Sequence, residues 1–196
     1  MIIVGIDYSL TSPALCLFDT AAGDFCFSNT KCYFLASKKM HECYDDGVIS
    51  AENYPKCWTT DEARFSSIAY WAEQIIYRSL GSRLVDELSV WIEGYSYGSS
   101  GKVFHIAENT GILKHRLYMG GIGYESVPPT SVKKFATGKG NSNKDMMYAA
   151  FCEETPETDL MSDLSPKAKA VNSPVSDIVD AFYICKFGFD TLTPKE

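Results

Sequence analysis

No run of this sequence approaches the ~20 consecutive apolar residues that a helix needs to cross a bilayer, which points away from a membrane-embedded protein. No basic, signal-like stretch precedes the first strand pattern, so the expected location is cytoplasmic. No CxxC pair occurs among the seven cysteines, Cys16, Cys26, Cys32, Cys43, Cys57, Cys152 and Cys185, and their number is odd. They read as reduced thiols, several acting as small buried hydrophobes, with a zinc site built from Cys43, Cys57 and His41 as the lesser alternative. Positive charge is not in excess either. Eighteen Lys and Arg against 25 Asp and Glu leave a net charge of -7, which argues against a nonspecific nucleic-acid coat protein but leaves room for a local basic patch. Internal repeats and low-complexity tracts are absent. What remains is an ordinary globular composition, 45% hydrophobic and 22% charged, over 196 residues, a length that suits one domain spanning 1–196.

Residues 2–8 form a β-branched apolar run and 14–18 another, joined by SLTSP, whose Ser, Thr and Pro favour a turn. A third strand within 24–36 completes an antiparallel meander. Residues 38–60 lose periodicity and gather Lys, Asp, Asn, Gly and Pro, as a surface insertion does. From Thr59, TTDE offers a capping box for an amphipathic helix carrying Phe65, Ile68, Ala72, Ile75, Ile76 and Leu80. Leu88 to Ile92 is a buried strand ending at Glu93, and GYSYGSSGK after it is a loop. A helix is predicted over 105–119, a strand over 122–127, and further helices over 130–137 and 143–153. An acidic, Ser- and Pro-bearing connection covers 154–172, Ser173-Pro174 opens the last helix, and Gly188 is its expected stop. This order suits an α/β fold: a mixed five-stranded sheet with helices on both faces.

Four acidic residues at three separated places carry the chemistry: Asp7 in IIVGIDYS, Glu93 in SVWIEGYS, and Asp177 with Asp180 in SPVSDIVDAFYICKF. A charge closing a buried strand is costly unless it is exposed at the sheet edge or paired, and the pattern occurs twice. Asp177 and Asp180 are three apart, so they share one side of a helix whose packing stripe is Val175, Ile178, Val179 and Phe182. Taken alone, such a pair is usually a solvated face. Together the four supply enough oxygens to hold two Mg²⁺ ions about 4 Å apart, with Mn²⁺ as a substitute, the arrangement that metal-assisted phosphodiester cleavage needs. Carboxylates so close also need cations to stay ionised together.

A second constellation, PPTSVKKFATGKGNSNK, places Lys133, Lys134, Lys139 and Lys144 within a dozen residues of an otherwise acidic chain. Glycines there let the backbone approach phosphates, and Ser142 or Asn143 can cap a helix whose N-terminal amides favour anions. Lys102, Lys114, His115 and Arg116 can extend that surface, and Tyr95, Tyr97 and Phe104 can stack on bases, although aromatics at this density more often belong to a core. GSSGKV is not a phosphate-binding Walker loop, since Ser96 stands where its first Gly belongs and Val103 replaces its Ser/Thr.

These motifs, in this order along nearly the whole chain, resemble those of RuvC-type Holliday-junction resolvases of the phage-encoded branch, members of the RNase H-like superfamily. GIDYSLTSPAL resembles the family's first strand and turn, WIEGYSYG its second acidic motif, SDIVDAFYIC its C-terminal acidic helix, and PPTSVKKFATGKGNSNKDMM its most specific proline, VK and TGxG pattern. The resemblance implies a homodimer that binds four-way DNA junctions and nicks two strands symmetrically, leaving 5′-phosphate ends. It implies Asp7, Glu93, Asp177 and Asp180 as catalytic metal ligands, Lys133 and Lys144 on the DNA backbone near the scissile phosphate, and the 105–119 helix at the dimer interface. The segments 38–60 and 154–165 have no counterpart in it, and the loop after Glu93 differs from the family's, leaving the junction-probing aromatic open among Tyr95, Tyr97 and Phe104.

Three rival readings remain at the level of sequence. GIDYSLTSPAL also resembles the opening of sugar-kinase or actin-like ATPases, but those close two related domains over a nucleotide and this chain has length for one. An RNase H-like nuclease acting on RNA:DNA hybrid would use the same carboxylates. A noncatalytic junction-binding module is disfavoured by the presence of all four.

Overall fold

The computed structural model describes residues 1–36, 41, 43–54, 58–95 and 103–193. Three strands, β1 (Ile2–Asp7), β2 (Ala14–Asp19) and β3 (Thr30–Ala36), form the expected antiparallel meander, with Ile2 facing Asp19 and Ala14 facing Phe34. β5 (Leu88–Glu93) lies parallel to β1, and β6 (Tyr124–Val127) parallel to β5. The sheet has six strands in the order β4-β3-β2-β1-β5-β6 rather than the five expected. The extra one, β4 (Ile49–Asn53), comes from the segment read as a surface insertion and pairs parallel with β3. Its sequence, ISAEN, mixes polar and apolar residues, as suits an edge strand with one full ladder and, on its outer flank, only a bridge from Ser50 to Asp45.

Parallel strands need a crossover, and helices provide the two that lead to β5 and β6. α1 (Asp61–Leu80) leads from β4 to β5, and α2 (Val103–Met119) from β5 to β6. Both crossovers step the same way across the sheet, so a common handedness lays α1 and α2 on one face. There Ile68, Ala72, Ile75 and Ile76 of α1 and Leu113 and Leu117 of α2 cover Ile2, Val4 and Ile6. α1 is capped by Thr60, whose hydroxyl accepts from the Ala63 amide, one residue later than TTDE suggests.

The opposite face is covered by α3 (Pro129–Thr137), α4 (Lys144–Glu154), α5 (Leu160–Leu164) and α6 (Val175–Leu192). α5 lies inside the region read as a plain connection, and its Leu160 and Leu164 are fully buried. α6 runs against β1: the Cys185 thiol reaches the Ile3 carbonyl at 3.4 Å. A Cβ on Gly5 would stand 2.2 Å from the Cys185 nitrogen and 2.4 Å from the Ala181 carbonyl oxygen, so only glycine admits the helix this close. Gly188 does not stop α6, which continues to Leu192 after starting at Val175 with Pro174 as its N-cap. A Cβ on Gly188 would meet the Trp91 indole at 2.5 Å, so that glycine serves close packing rather than chain reversal.

Cys16, Cys32 and Cys185 are buried free thiols, as expected. His41 is buried with Nε2 2.6 Å from the Leu164 carbonyl and its ring edge-on to Phe34, while Cys57 lies outside the described residues. Among the described residues no helix is long and apolar enough to cross a membrane.

Candidate active site

Strand periodicity decides where the acidic side chains point. Ile3 packs on the α6 face while Ile2, Val4 and Ile6 pack on the other, so Gly5 and Asp7 share the face of Ile3. On β5, Val90 and Ile92 pack against α1 and α2 while Trp91 packs toward α6, which turns Glu93 the same way as Asp7. β1 and β5 are parallel neighbours in register through Ile6 and Ile92, so Asp7 and Glu93 end adjacent strands at the same sheet edge. α6 crosses that edge with its first turns, bringing Asp177 and Asp180 over the strand ends.

The electrostatics show the convergence. Burial, then the neighbouring Glu93, Asp177 and Asp180 carboxylates, holds the Asp7 carboxyl well above the usual range, and Lys144 offsets part of this. Burial and Asp177 likewise raise Glu93, opposed by Lys133. Asp180 is pushed up to about 7 by burial, Glu93 and Asp177, with Lys133 and Lys144 pulling back. Each of the four carboxyls is thus within electrostatic reach of others in the group. They are not drawn into a tight knot: among the described residues no three His, Cys, Asp or Glu side chains form a group that could hold a metal ion as they stand.

Lys144 stands at the first turn of α4, fixed by Asn143, whose Oδ1 accepts from the Met146 amide at 2.9 Å. The turn before it is tied by the hydroxyls of Thr137 and Ser142, 2.6 Å apart, which reach the Lys139 carbonyl at 3.1 and 2.8 Å. The Lys144 ammonium donates to Ser176 Oγ at 3.0 Å, and that hydroxyl donates to Asp177 Oδ1 at 2.9 Å. Asp177 is 6% exposed, and its Oδ2 is buried without a hydrogen-bond partner. Ser176 was not singled out by sequence; its only signal there is its place immediately before the acidic pair.

The other residues flagged by sequence divide. Lys134 and Lys139 are exposed, and it is Lys133 and Lys144 that the carboxyls feel. Tyr95 sits beside the site with the Lys114 ammonium 5.0 Å from its ring centre, and Tyr124 lies on the same ammonium at 5.5 Å. Phe104 is 83% exposed at the start of α2. Lys102 and Tyr97 lie outside the described residues. Arg116 does not extend a basic surface: it is engaged by Glu73 of α1 and lies over the Tyr70 ring.

An acid whose folded pKa is raised binds protons in the folded state that the unfolded chain has already lost. In metal-free protein the cluster is therefore expected to favour folding at low pH and to cost stability progressively as pH rises from about 4 towards 7, the range set by Asp180. Thermal melts in a chelator across that range, for the protein and for Asp180→Asn, check this. The gap between the two melting temperatures should change with pH, the variant gaining at the alkaline end. A constant gap would show that Asp180 is not held in a repelling cluster.

No protein-family model matches the chain, and no curated protein does. Solved structures do. The structure of RuvC from Thermus thermophilus superposes with a TM-score of 0.56 at 15% identity, over 98% of both chains. The same protein in complex with Holliday junction substrate gives 0.56 and 15% over 98% of this chain and 96% of that one. The yeast mitochondrial Holliday junction resolvase Ydc2 gives 0.50 at 12% identity over 93% of this chain and 75% of that one. The chain therefore has the fold of these resolvases, which is the RNase H-like fold.

Proposed function

We propose that the chain is a RuvC-type, structure-selective DNA endonuclease that resolves four-way junctions by paired nicking with divalent cations. The observation that carries the reading is the convergence of Asp7, Glu93, Asp177 and Asp180 at one sheet edge, flanked by Lys133 and Lys144, on a fold shared with Holliday-junction resolvases. The donor set fits hard divalent cations. It is all carboxylate oxygen, its members are destabilised by mutual repulsion, and Asp177 Oδ2 is a buried acceptor without a partner. Bound Mg²⁺, or Mn²⁺ in its place, would supply charge neutralisation at the phosphate and activation of water.

The chain's own residues do the rest. Asp7, Glu93, Asp177 and Asp180 would hold the ions. Ser176, accepting a hydrogen bond from the Lys144 ammonium and donating one to Asp177 Oδ1, fixes the rotamer of that carboxylate and leaves Oδ2 to the site. Lys133 and Lys144, on α3 and α4, supply positive charge beside the carboxylates for the phosphate backbone, which is how a chain of net charge -7 approaches DNA. Two coordinated nicks call for two sites, and α2 with α1 offers a surface for a second copy: Tyr118 is 76% exposed, Met119 70% and Tyr70 53%. Sedimentation of the protein with and without a Tyr118→Lys, Met119→Lys pair checks this, with a shift from dimer to monomer expected and a dimer unmoved by the substitutions counting against that face.

The deciding assay offers labelled four-way DNA junction, linear duplex and RNA:DNA hybrid to the protein with Mg²⁺. Paired nicks in the junction alone are expected. Cutting of the hybrid would move the chain to the ribonucleases, and binding of the junction without cutting would leave a binding module.

A further inference from the structure

Elsewhere in the chain basic side chains settle directly on carboxylates: Arg83 on Asp19, Arg116 on Glu73 and Lys186 on Glu154. Lys144 does not. Its ammonium donates to Ser176 Oγ at 3.0 Å, and Ser176 Oγ donates in turn to Asp177 Oδ1 at 2.9 Å, so one neutral oxygen stands between the cation and the anion. Ser176 is 3% exposed, which leaves little water to compete for either bond. Ser176 and Asp177 belong to the first turn of α6 and Lys144 to the first turn of α4, so two helices meet at this hydroxyl.

A lysine has a long, flexible stem, and an ammonium this near a buried carboxylate gains Coulomb energy by touching it. In direct contact the two charges would neutralise each other. A divalent cation would then have to displace an internal one to reach Asp177, and Lys144 would be withdrawn from a phosphate for the same reason. The hydroxyl removes this competition. It satisfies one ammonium proton and one carboxylate oxygen, each bond polarising the other, and keeps the two charges apart. Asp177 Oδ2, buried and without a partner, is the oxygen left open. The Lys144 charge meanwhile still acts on the rest of the cluster, offsetting part of the burial and repulsion that raise the Asp7 and Asp180 carboxyls.

Resting on the reading above, we infer that Ser176 is a positioning residue that acts as a spacer: it holds Lys144 beside Asp177 and off it, so that the carboxylate stays available to a divalent cation and the ammonium to a phosphate. This goes beyond fixing a carboxylate rotamer, because it makes the effect of the hydroxyl depend on the lysine.

A double-mutant cycle reads that dependence. Mn²⁺ is titrated into the DNA-free protein and followed by electron paramagnetic resonance, for the unsubstituted chain, Ser176→Ala, Lys144→Met and the double variant. Alanine has the highest helix propensity, so Ser176→Ala suits α6, and circular dichroism checks each variant. We expect Ser176→Ala to weaken Mn²⁺ binding about tenfold or more, the low end of the couplings between close charge pairs, because the released ammonium drops onto Asp177. Lys144→Met should strengthen Mn²⁺ binding modestly where Ser176 is present, by removing a like charge, and about tenfold more than that where alanine replaces it. A gain from Lys144→Met of the same size in both backgrounds shows that the hydroxyl only orients Asp177, and overturns the spacer while leaving the nuclease reading standing. Unchanged Mn²⁺ binding in Ser176→Ala does the same. Absence of Mn²⁺ binding in every form, the unsubstituted chain included, overturns the spacer together with the divalent-cation part of that reading.

Discussion

Asp7→Asn is expected to abolish nicking of a four-way junction, by three orders of magnitude or more on the scale typical for removing an essential catalytic group, while junction binding survives. The reason lies in the position. Asp7 ends β1 at the centre of the sheet edge, and its carboxyl is the one that feels Glu93, Asp177 and Asp180 together. Asparagine keeps the shape but removes the charge, leaving one neutral oxygen where a cation needs an anionic ligand. On the proposed function, binding would depend instead on the lysines and should be kept, or gain, as a negative charge beside the phosphates disappears. The same change should raise the melting temperature of the metal-free protein, because a buried, repelled carboxylate is replaced by a neutral group. Nicking rates with Mg²⁺, gel-shift binding and a thermal melt, with exposed Asp163→Asn as the control, read all three. A variant that still nicks at near the original rate would remove Asp7 from the catalytic group, whatever its melting temperature.

The second large effect is at Gly5, two residues before Asp7 and on the same face. Gly5→Ala puts a methyl group 2.2 Å from the Cys185 nitrogen and 2.4 Å from the Ala181 carbonyl oxygen, and both of those atoms belong to the main chain of α6. No rotamer change relieves such a contact, so α6 must lift or tilt. Overpacking a core costs about 1–3 kcal/mol, and a clash with backbone belongs at or above the top of that range. A fall in melting temperature of ten degrees or more is expected. Protein that remains folded should nick slowly, since the helix that must lift carries Asp177 and Asp180. Urea denaturation and nicking of the folded fraction measure the two consequences separately. Unchanged stability would show that the helix does not press on β1 at this point.

Much of this arrangement was legible in the sequence, and the reason is periodicity. IIVGID and LSVWIE are short, β-branched and apolar, so their strands were readable, and an acidic residue at the end of each was conspicuous against that background. Asp177 and Asp180 were readable as one helical face, and TGKGNSNK as a turn into a helix. What escaped depended on contacts between distant parts of the chain. β4 is five residues of mixed polarity whose ladder partner is β3, with only a single bridge from Ser50 to Asp45 beside it among the described residues, so little in the local sequence marks it. α5 is equally short, and its two leucines have no repeat to belong to. Gly188 carries the usual sign of a helix end, yet Trp91, almost a hundred residues away, demands a glycine there. The place of Ser176 between Lys144 and Asp177 is likewise a product of assembly, as is the Glu73 partner that takes Arg116 away from the basic surface.

On the proposed function, the link from Lys144 through Ser176 to Asp177 would bear on the cost of capturing DNA. A free lysine side chain gives up nearly 2 kcal/mol of rotamer freedom when it is fixed. Lys144 is already ordered by its 3.0 Å bond to Ser176, so that loss falls in folding and not in binding. An ammonium has three protons to donate and Ser176 engages one of them, leaving two for an incoming phosphate without a search for the right rotamer. On the proposed function, the protein would thus meet its substrate with one cation already aimed.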